Sequence, residues 1–213
     1  SPGAEGMYPA AYSAFDDARE RVAELLSTDA DRIALTNSTT DGLNLVAGAI
    51  DWLPGDTVIT TDLEHPSGIL PWSRHGAEVI RVDSDDGRFD LDDWKEAVRD
   101  ARLVAVSSIS WNYGTKIPIR EITDIAHDAG ARVVVDAAQS PGHVTLDVEE
   151  WGVDYVASTG HKWMLGPWGT GFLYVDADAE DFIKGHRKGS KSVRTFDYDT
   201  MDFEYKPGAA RFH

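Results

Sequence analysis

Residues 131–171 read ARVVVDAAQSPGHVTLDVEEWGVDYVASTGHKWMLGPWGTG, and this stretch decides the fold. Val133-Val134-Val135 is a continuous β-branched run, the pattern of a strand covered on both faces of its sheet. It ends on Asp136, and Gln139 follows three residues later. A second buried-strand pattern, 155–158, runs into Thr159-Gly160-His161-Lys162 and then a glycine-rich turn, Gly166-Pro167-Trp168-Gly169-Thr170-Gly171. Two neighbouring strand ends thus carry a carboxylate, an amide, a hydroxyl, an imidazole and an amine. Ligands of open α/β sheets bind outside the carboxyl ends of the strands.

The same alternation extends outward in both directions. Helical spacing of apolar residues predicts helices over 10–26, 40–50, 91–99 and 119–129, with a further one after Pro66. Strands are predicted over 32–36, 58–61, 78–82, 103–109, 132–135, 155–158 and 172–175. Asn37, Ser38 and Thr39 are cap-type residues before the second helix, and Gly130 is a C-terminal stop for the 119–129 helix. Strands alternating with helices imply a three-layer α/β domain: a mostly parallel central sheet with helices on both faces. Residues 185–200, GHRKGSKSVRTFDYDT, turn basic and polar and read as a mobile surface loop. Residues 206–213 carry no stop or cap signal, as though the chain ended in mid-structure.

The chain has 213 residues, 42% of them hydrophobic, enough for a full core in one domain. Its formal net charge of −17 repels polyanions, which argues against nucleic acid and anionic membrane as partners. The acidic residues are dispersed, as in Asp16-Asp17, Asp85-Asp86 and Glu149-Glu150, and read as a strongly solvated surface that a high-salt cytoplasm would favour. There is no cysteine, so neither a disulfide framework nor a cysteine metal site is available. No apolar run approaches the ~18 residues that cross a bilayer, and no secretory leader is visible. The default expectation is a cytoplasmic protein.

The strand-end residues together suit pyridoxal phosphate. Lys162, between His161 and Trp163, is the candidate for the Schiff-base amine, because partly apolar surroundings lower an amine's pKa. Asp136 is suited to keep a pyridine nitrogen protonated, so that the ring withdraws electrons from a substrate carbanion. Gln139 is placed to donate to the phenolic oxygen. The phosphate needs local dipoles in so acidic a chain. Asn37-Ser38-Thr39-Thr40 at a helix start offers free N–H groups and hydroxyls, and Thr159 and His161 add donors. His65, after the 58–61 strand, could stack on the ring face. A metal role for Glu64-His65 is disfavoured by the absence of HExxH-type spacing, and Asp83-Ser84-Asp85-Asp86-Gly87 lacks the glutamate of a calcium loop.

Four stretches in order resemble the class V aminotransferase family, which includes cysteine desulfurases, selenocysteine lyases and isopenicillin N epimerase-like proteins. They are Thr39-Thr40-Asp41-Gly42-Leu43-Asn44, Glu64-His65, Val135-Asp136-Ala137-Ala138-Gln139, and Ser158-Thr159-Gly160-His161-Lys162 with its glycine-rich turn. The resemblance implies an aspartate aminotransferase-type fold in a homodimer acting on a small amino-acid substrate. It assigns Lys162 to the Schiff base, Asp136 to the ring nitrogen, Gln139 to the phenolic oxygen, and His65 to the ring face. Thr39, Thr40, Thr159 and His161 go to the phosphate. Two departures stand out. Where the desulfurase branch carries Ser-Asn-x-x-Gly, this chain has Ser110-Trp111-Asn112-Tyr113-Gly114, nearer the epimerase-like and lyase-like branches. The family's N-terminal lead and C-terminal domain, with the usual carboxylate-binding arginine, are expected to be missing. A cysteine desulfurase or selenocysteine lyase, and a catalytically silent cofactor-binding domain, are the alternatives.

Overall fold

The computed structural model describes residues 4–184, 189, 190 and 192–212. The chain opens with α1 (Ala4–Leu26), then β1 (Ile33–Thr36), α2 (Thr39–Ala49) and β2 (Thr57–Thr61). It continues through α3 (Leu70–Arg74), β3 (Glu78–Val82), α4 (Leu91–Ala97), β4 (Ala101–Ser107), α5 (Ile119–Asp128) and β5 (Arg132–Asp136). The last elements are α6 (Val148–Trp151), β6 (Tyr155–Thr159), β7 (Gly171–Val175), β8 (Val193–Phe196) and β9 (Phe203–Tyr205).

The first seven strands form one sheet in the order β1-β7-β6-β5-β4-β2-β3. The β3, β2, β4, β5 and β6 strands pair in parallel, while β7 pairs antiparallel with both of its neighbours. The expected three-layer α/β architecture is therefore present, with β7 alone running against the rest. Successive residues of the central strands face opposite layers. Val104, Val106, Val133, Val135 and Val156 join the core beneath α1, α4 and α5, while Leu103, Ala105, Val134, Tyr155 and Ala157 join the core beneath α2 and α3. Every side chain along β5 and β6 except that of Arg132 is buried, which is why these strands read as continuous apolar runs.

Two close approaches hold the start of α2 against the end of β6. A Cβ on Gly42 would lie 2.9 Å from Ala157 Cβ, and one on Gly171 would lie 2.5 Å from Ser158 O and 3.0 Å from Ser38 N. Any larger residue there would push the helix N-terminus off the sheet.

The 185–200 segment differs from expectation. Residues 185–188 and 191 lie outside the described residues, but β8 and β9 pair antiparallel as a hairpin instead of a loop. Its polar composition hid a strand that is mostly exposed and buries no face. The end of the chain is also ordered: Gly208–Phe212 forms a 3-10 turn that buries Ala209 and Phe212. The first helix begins at Ala4, ahead of the expected 10, and carries Pro9 inside it. The single-turn helix α6 was not expected.

Candidate active site

The carboxyl ends of β2, β4, β5 and β6 meet the N-terminus of α2 around a cleft of about 370 Å³. All eight residues singled out from sequence line it: Thr39, Thr40, His65, Asp136, Gln139, Thr159, His161 and Lys162. Ser38, Ser67, Ser107, Ile109, Trp111 and Trp168 complete much of the wall.

One end of the cleft is built for an anion. Ser38 caps α2, its hydroxyl accepting from Asp41 N–H at 3.1 Å. The next hydroxyl, Thr39 Oγ1, is buried and has no hydrogen-bond partner. Thr159 Oγ1 and His161 Nδ1 pair at 2.8 Å, and the His161 ring stacks on Trp168 with centroids 3.6 Å apart. Hydroxyls, an imidazole and the positive end of a helix dipole thus converge without any surface arginine.

The other end is built for a cation. Asp136, the last residue of β5, is 7% exposed, and Ala138 N–H donates to its Oδ1 at 2.9 Å. Burial pushes its carboxyl pKa up, against the Ala138 hydrogen bond and the charges of Lys162 and His65, which pull it down. A cation at this carboxylate would stabilise its ionised form.

Between these ends, Ser67 N–H donates to His65 Nδ1 at 3.2 Å, which leaves Nε2 as the protonated nitrogen of the neutral ring. The His65 ring meets the edge of Trp111 with centroids 5.5 Å apart. Gln139 Oε1 accepts from Trp163 Nε1 at 2.8 Å.

Beneath His65 lies a residue sequence reasoning used only as a motif letter. Glu64, 7% exposed, accepts from Ser107 N–H at 2.8 Å and Thr61 O–H at 3.0 Å on Oε1, and lies 2.5 Å from Ser107 Oγ on Oε2. Burial raises its pKa from 4.5 to about 7, opposed by the Ser107 and Thr61 hydrogen bonds and reinforced by the charge of Asp136. Glu64 braces the end of β2 to the end of β4 and so holds the His65 turn over the cleft. Ser107, Ser67 and Trp168 were likewise not foreseen. Ser107 ends β4, and Ser67 and Trp168 lie in the segments that follow β2 and β6; that placement on the carboxyl side of the sheet is the signal that could have found them.

This constellation has known counterparts. The family model described as Aminotransferase class-V matches residues 3–212. The chain belongs to the aminotransferase class-V family. A probable cysteine desulfurase of Methanothermobacter thermautotrophicus is 42% identical over 196 residues, covering 90% of this chain and 49% of that protein. A cysteine desulfurase of Haloferax volcanii is 39% identical over 206 residues, covering 91% and 48%. Among solved structures, the cystine C-S lyase C-DES in complex with cysteine persulfide superposes with a TM-score of 0.88 at 30% identity, covering 94% of this chain and 56% of that one. An apo cysteine desulfurase from Thermococcus onnurineus superposes with a TM-score of 0.86 at 33% identity, covering 93% and 51%. The chain spans about half the length of these class V relatives. Trp111 lines the cleft as a large side chain that is half exposed.

Proposed function

We propose that this chain forms the pyridoxal phosphate-binding part of a class V enzyme that cleaves the carbon–sulfur bond of a cysteine-type amino acid. The observation that carries the proposal is the meeting of unlike groups in one cleft: an anion cradle with an orphaned buried hydroxyl at Thr39, and a buried carboxylate at Asp136, with Lys162 on the same lining. These residues fit the cofactor. Its phosphate would be held by Thr39, Thr40, Thr159 and His161, its ring nitrogen by Asp136, its phenolic oxygen by Gln139, its face by His65 and its aldehyde carbon by Lys162. When bound, the cofactor supplies an electron sink for charge developing at the substrate's α-carbon.

The chain's own residues do the rest. A protonated ring nitrogen is the cation that Asp136 needs, so each favours the charged form of the other. Lys162 is the one amine among the described residues of the cleft lining and would carry a proton to and from the substrate's α-carbon. His65, held by Ser67 and Trp111, restricts the space above the ring. Carbon–sulfur cleavage is favoured over transamination and epimerisation because relatives and structural neighbours are named as desulfurases and a C-S lyase. The lyase reading, with sulfide or a persulfide leaving, is favoured by Trp111 at the desulfurase asparagine position. A desulfurase proper, which passes sulfur to an enzyme cysteine, is the second reading. A homodimer and a cytoplasmic setting complete the proposal.

The test is a visible spectrum after addition of pyridoxal phosphate, followed by borohydride reduction and peptide mass mapping. The expected label is on Lys162 and is absent from Lys162→Ala. A label on another side chain, or none, would overturn the assignment. Cysteine and cystine given to the full-length protein then separate the two readings: pyruvate and ammonia, with sulfide from cysteine or cysteine persulfide from cystine, support the lyase, and alanine with sulfur carried on an enzyme cysteine supports the desulfurase.

A further inference from the structure

We infer that Trp163 is a positioning residue for the cofactor, fixing which way the Gln139 amide points into the cleft. This rests on the pyridoxal phosphate reading above. An indole N–H donates and cannot accept, so the atom facing Trp163 Nε1 at 2.8 Å is the amide oxygen of Gln139. The amide nitrogen, with both of its hydrogens, is thereby turned away from Trp163. Gln139 lines the cleft, and the cofactor atom assigned to it is a phenolic oxygen, which needs a donor. An unpinned amide would offer oxygen or nitrogen with similar ease, and the oxygen would repel a phenolate.

The indole is itself held in place. Its other neighbour is the His143 ring, stacked at 4.2 Å between centroids and 15° between planes. Backbone also clamps the two segments together: Gly142 has φ +84°, and a Cβ there would lie 2.5 Å from Trp163 O. The turn after Asp136 and the residue after Lys162 are therefore locked to one another. Trp163 is 47% exposed, so burial in the core does not account for its fixed placement. The stack on His143 and the hydrogen bond of its one polar atom to Gln139 do.

The test compares Trp163→Phe, which keeps the stack on His143 and removes the donor, with Trp163→Ala, which removes both. In the cofactor-free protein, the Trp163 indole N–H resonance should exchange slowly, and should lose that protection in Gln139→Leu. In the loaded protein, a donor to the phenolic oxygen stabilises the form that has released its proton. Losing it should raise the pH midpoint of the visible band by roughly one unit, the size of a hydrogen bond to a charged acceptor. Both Trp163 variants should shift alike. A midpoint unmoved in Trp163→Phe, or moved only in Trp163→Ala, would overturn the inference and leave the cofactor assignment standing. Failure of the wild type to take up pyridoxal phosphate on Lys162 would overturn both. An indole N–H that exchanges equally fast with and without Gln139 would overturn the hydrogen bond itself.

Discussion

Replacing Glu64 with glutamine should make the protein more stable at alkaline pH and leave it nearly unchanged below about pH 4.5. Glu64 is buried, and its folded pKa is raised from 4.5 to about 7. Between these values the unfolded chain has released the proton while the folded chain retains it. Stability therefore falls as pH rises through that window, and lies flat below about 4.5 and above about 7. A shift of this size corresponds to about 3 kcal/mol at 1.36 kcal/mol per unit. Glutamine reproduces the protonated acid. Its oxygen can accept from Ser107 N–H and Thr61 O–H, and its nitrogen can donate to Ser107 Oγ in place of the acid proton. The ionisable groups facing Glu64 are Asp136, whose charge raises its pKa, and the adjacent His65. Both persist in the variant, so the difference between the two proteins isolates Glu64. Urea unfolding of the cofactor-free protein at pH 5, 6, 7 and 8.5, followed by tryptophan fluorescence, measures it. The variant should lead by about 1 kcal/mol at pH 5 and by up to about 3 kcal/mol at pH 8.5. A difference that does not change with pH would refute the reasoning, whatever its sign.

Four further outcomes are expected. Thr39→Val should leave unfolding in urea unchanged or slightly improved, because Oγ1 is buried without a partner, and should weaken cofactor binding roughly tenfold or more, as a lost charge-assisted hydrogen bond requires. Asp154 is 2% exposed and accepts from Arg132 Nη1 at 2.7 Å, His127 Nε2 at 2.8 Å and Val133 N–H at 2.6 Å; Asp154→Ala should destabilise by about 3 kcal/mol or more in the same assay. Because the Asp154 hydrogen bond raises the His127 pKa, the stability from that pair is present below 6.5 and lost as pH rises through the folded value, a slope that His127→Gln should remove. Gly142→Ala should destabilise by at least about 2 kcal/mol, since φ +84° and the 2.5 Å approach to Trp163 O both resist a Cβ.

The elements that were legible in sequence are those whose burial is two-sided. Val133-Val134-Val135 faces two cores at once, so its apolar run could not be mistaken for a surface. The reversed direction of β7 was equally written in the chain, in spacing. Only the residues of 160–170 separate β6 from β7, too few and too glycine-rich for a helical crossover, so the strand must return antiparallel. The β8–β9 hairpin was not legible, because its side chains are mostly exposed and its register is irregular, which removes the period-two pattern. The single turn of α6 is too short to show a period of 3.6. In the cleft, residues at strand ends were legible by topology alone. The contacts that orient them were not. Glu64 meets Ser107 across 43 residues of sequence and Trp163 meets Gln139 across 24, pairings that exist only once the sheet order is known.

That sheet order also resolves how a chain with a formal charge of −17 can hold a phosphate. Most of the acidic side chains are dispersed over the surface, where water and salt screen them within about 8 Å at physiological ionic strength. The cleft sees its own lining instead. Lys162, His161 and His65 face it, with the N-terminus of α2, while Asp136 is the one carboxylate among the described residues of its lining. The close approaches at Gly42 and Gly171 seat that helix end directly beside Thr159. A helix dipole acts over only about a turn, so the anion site depends on those two glycines more than on any charge. Adding a side chain at Gly171 should therefore weaken phosphate binding without altering the protein's net charge.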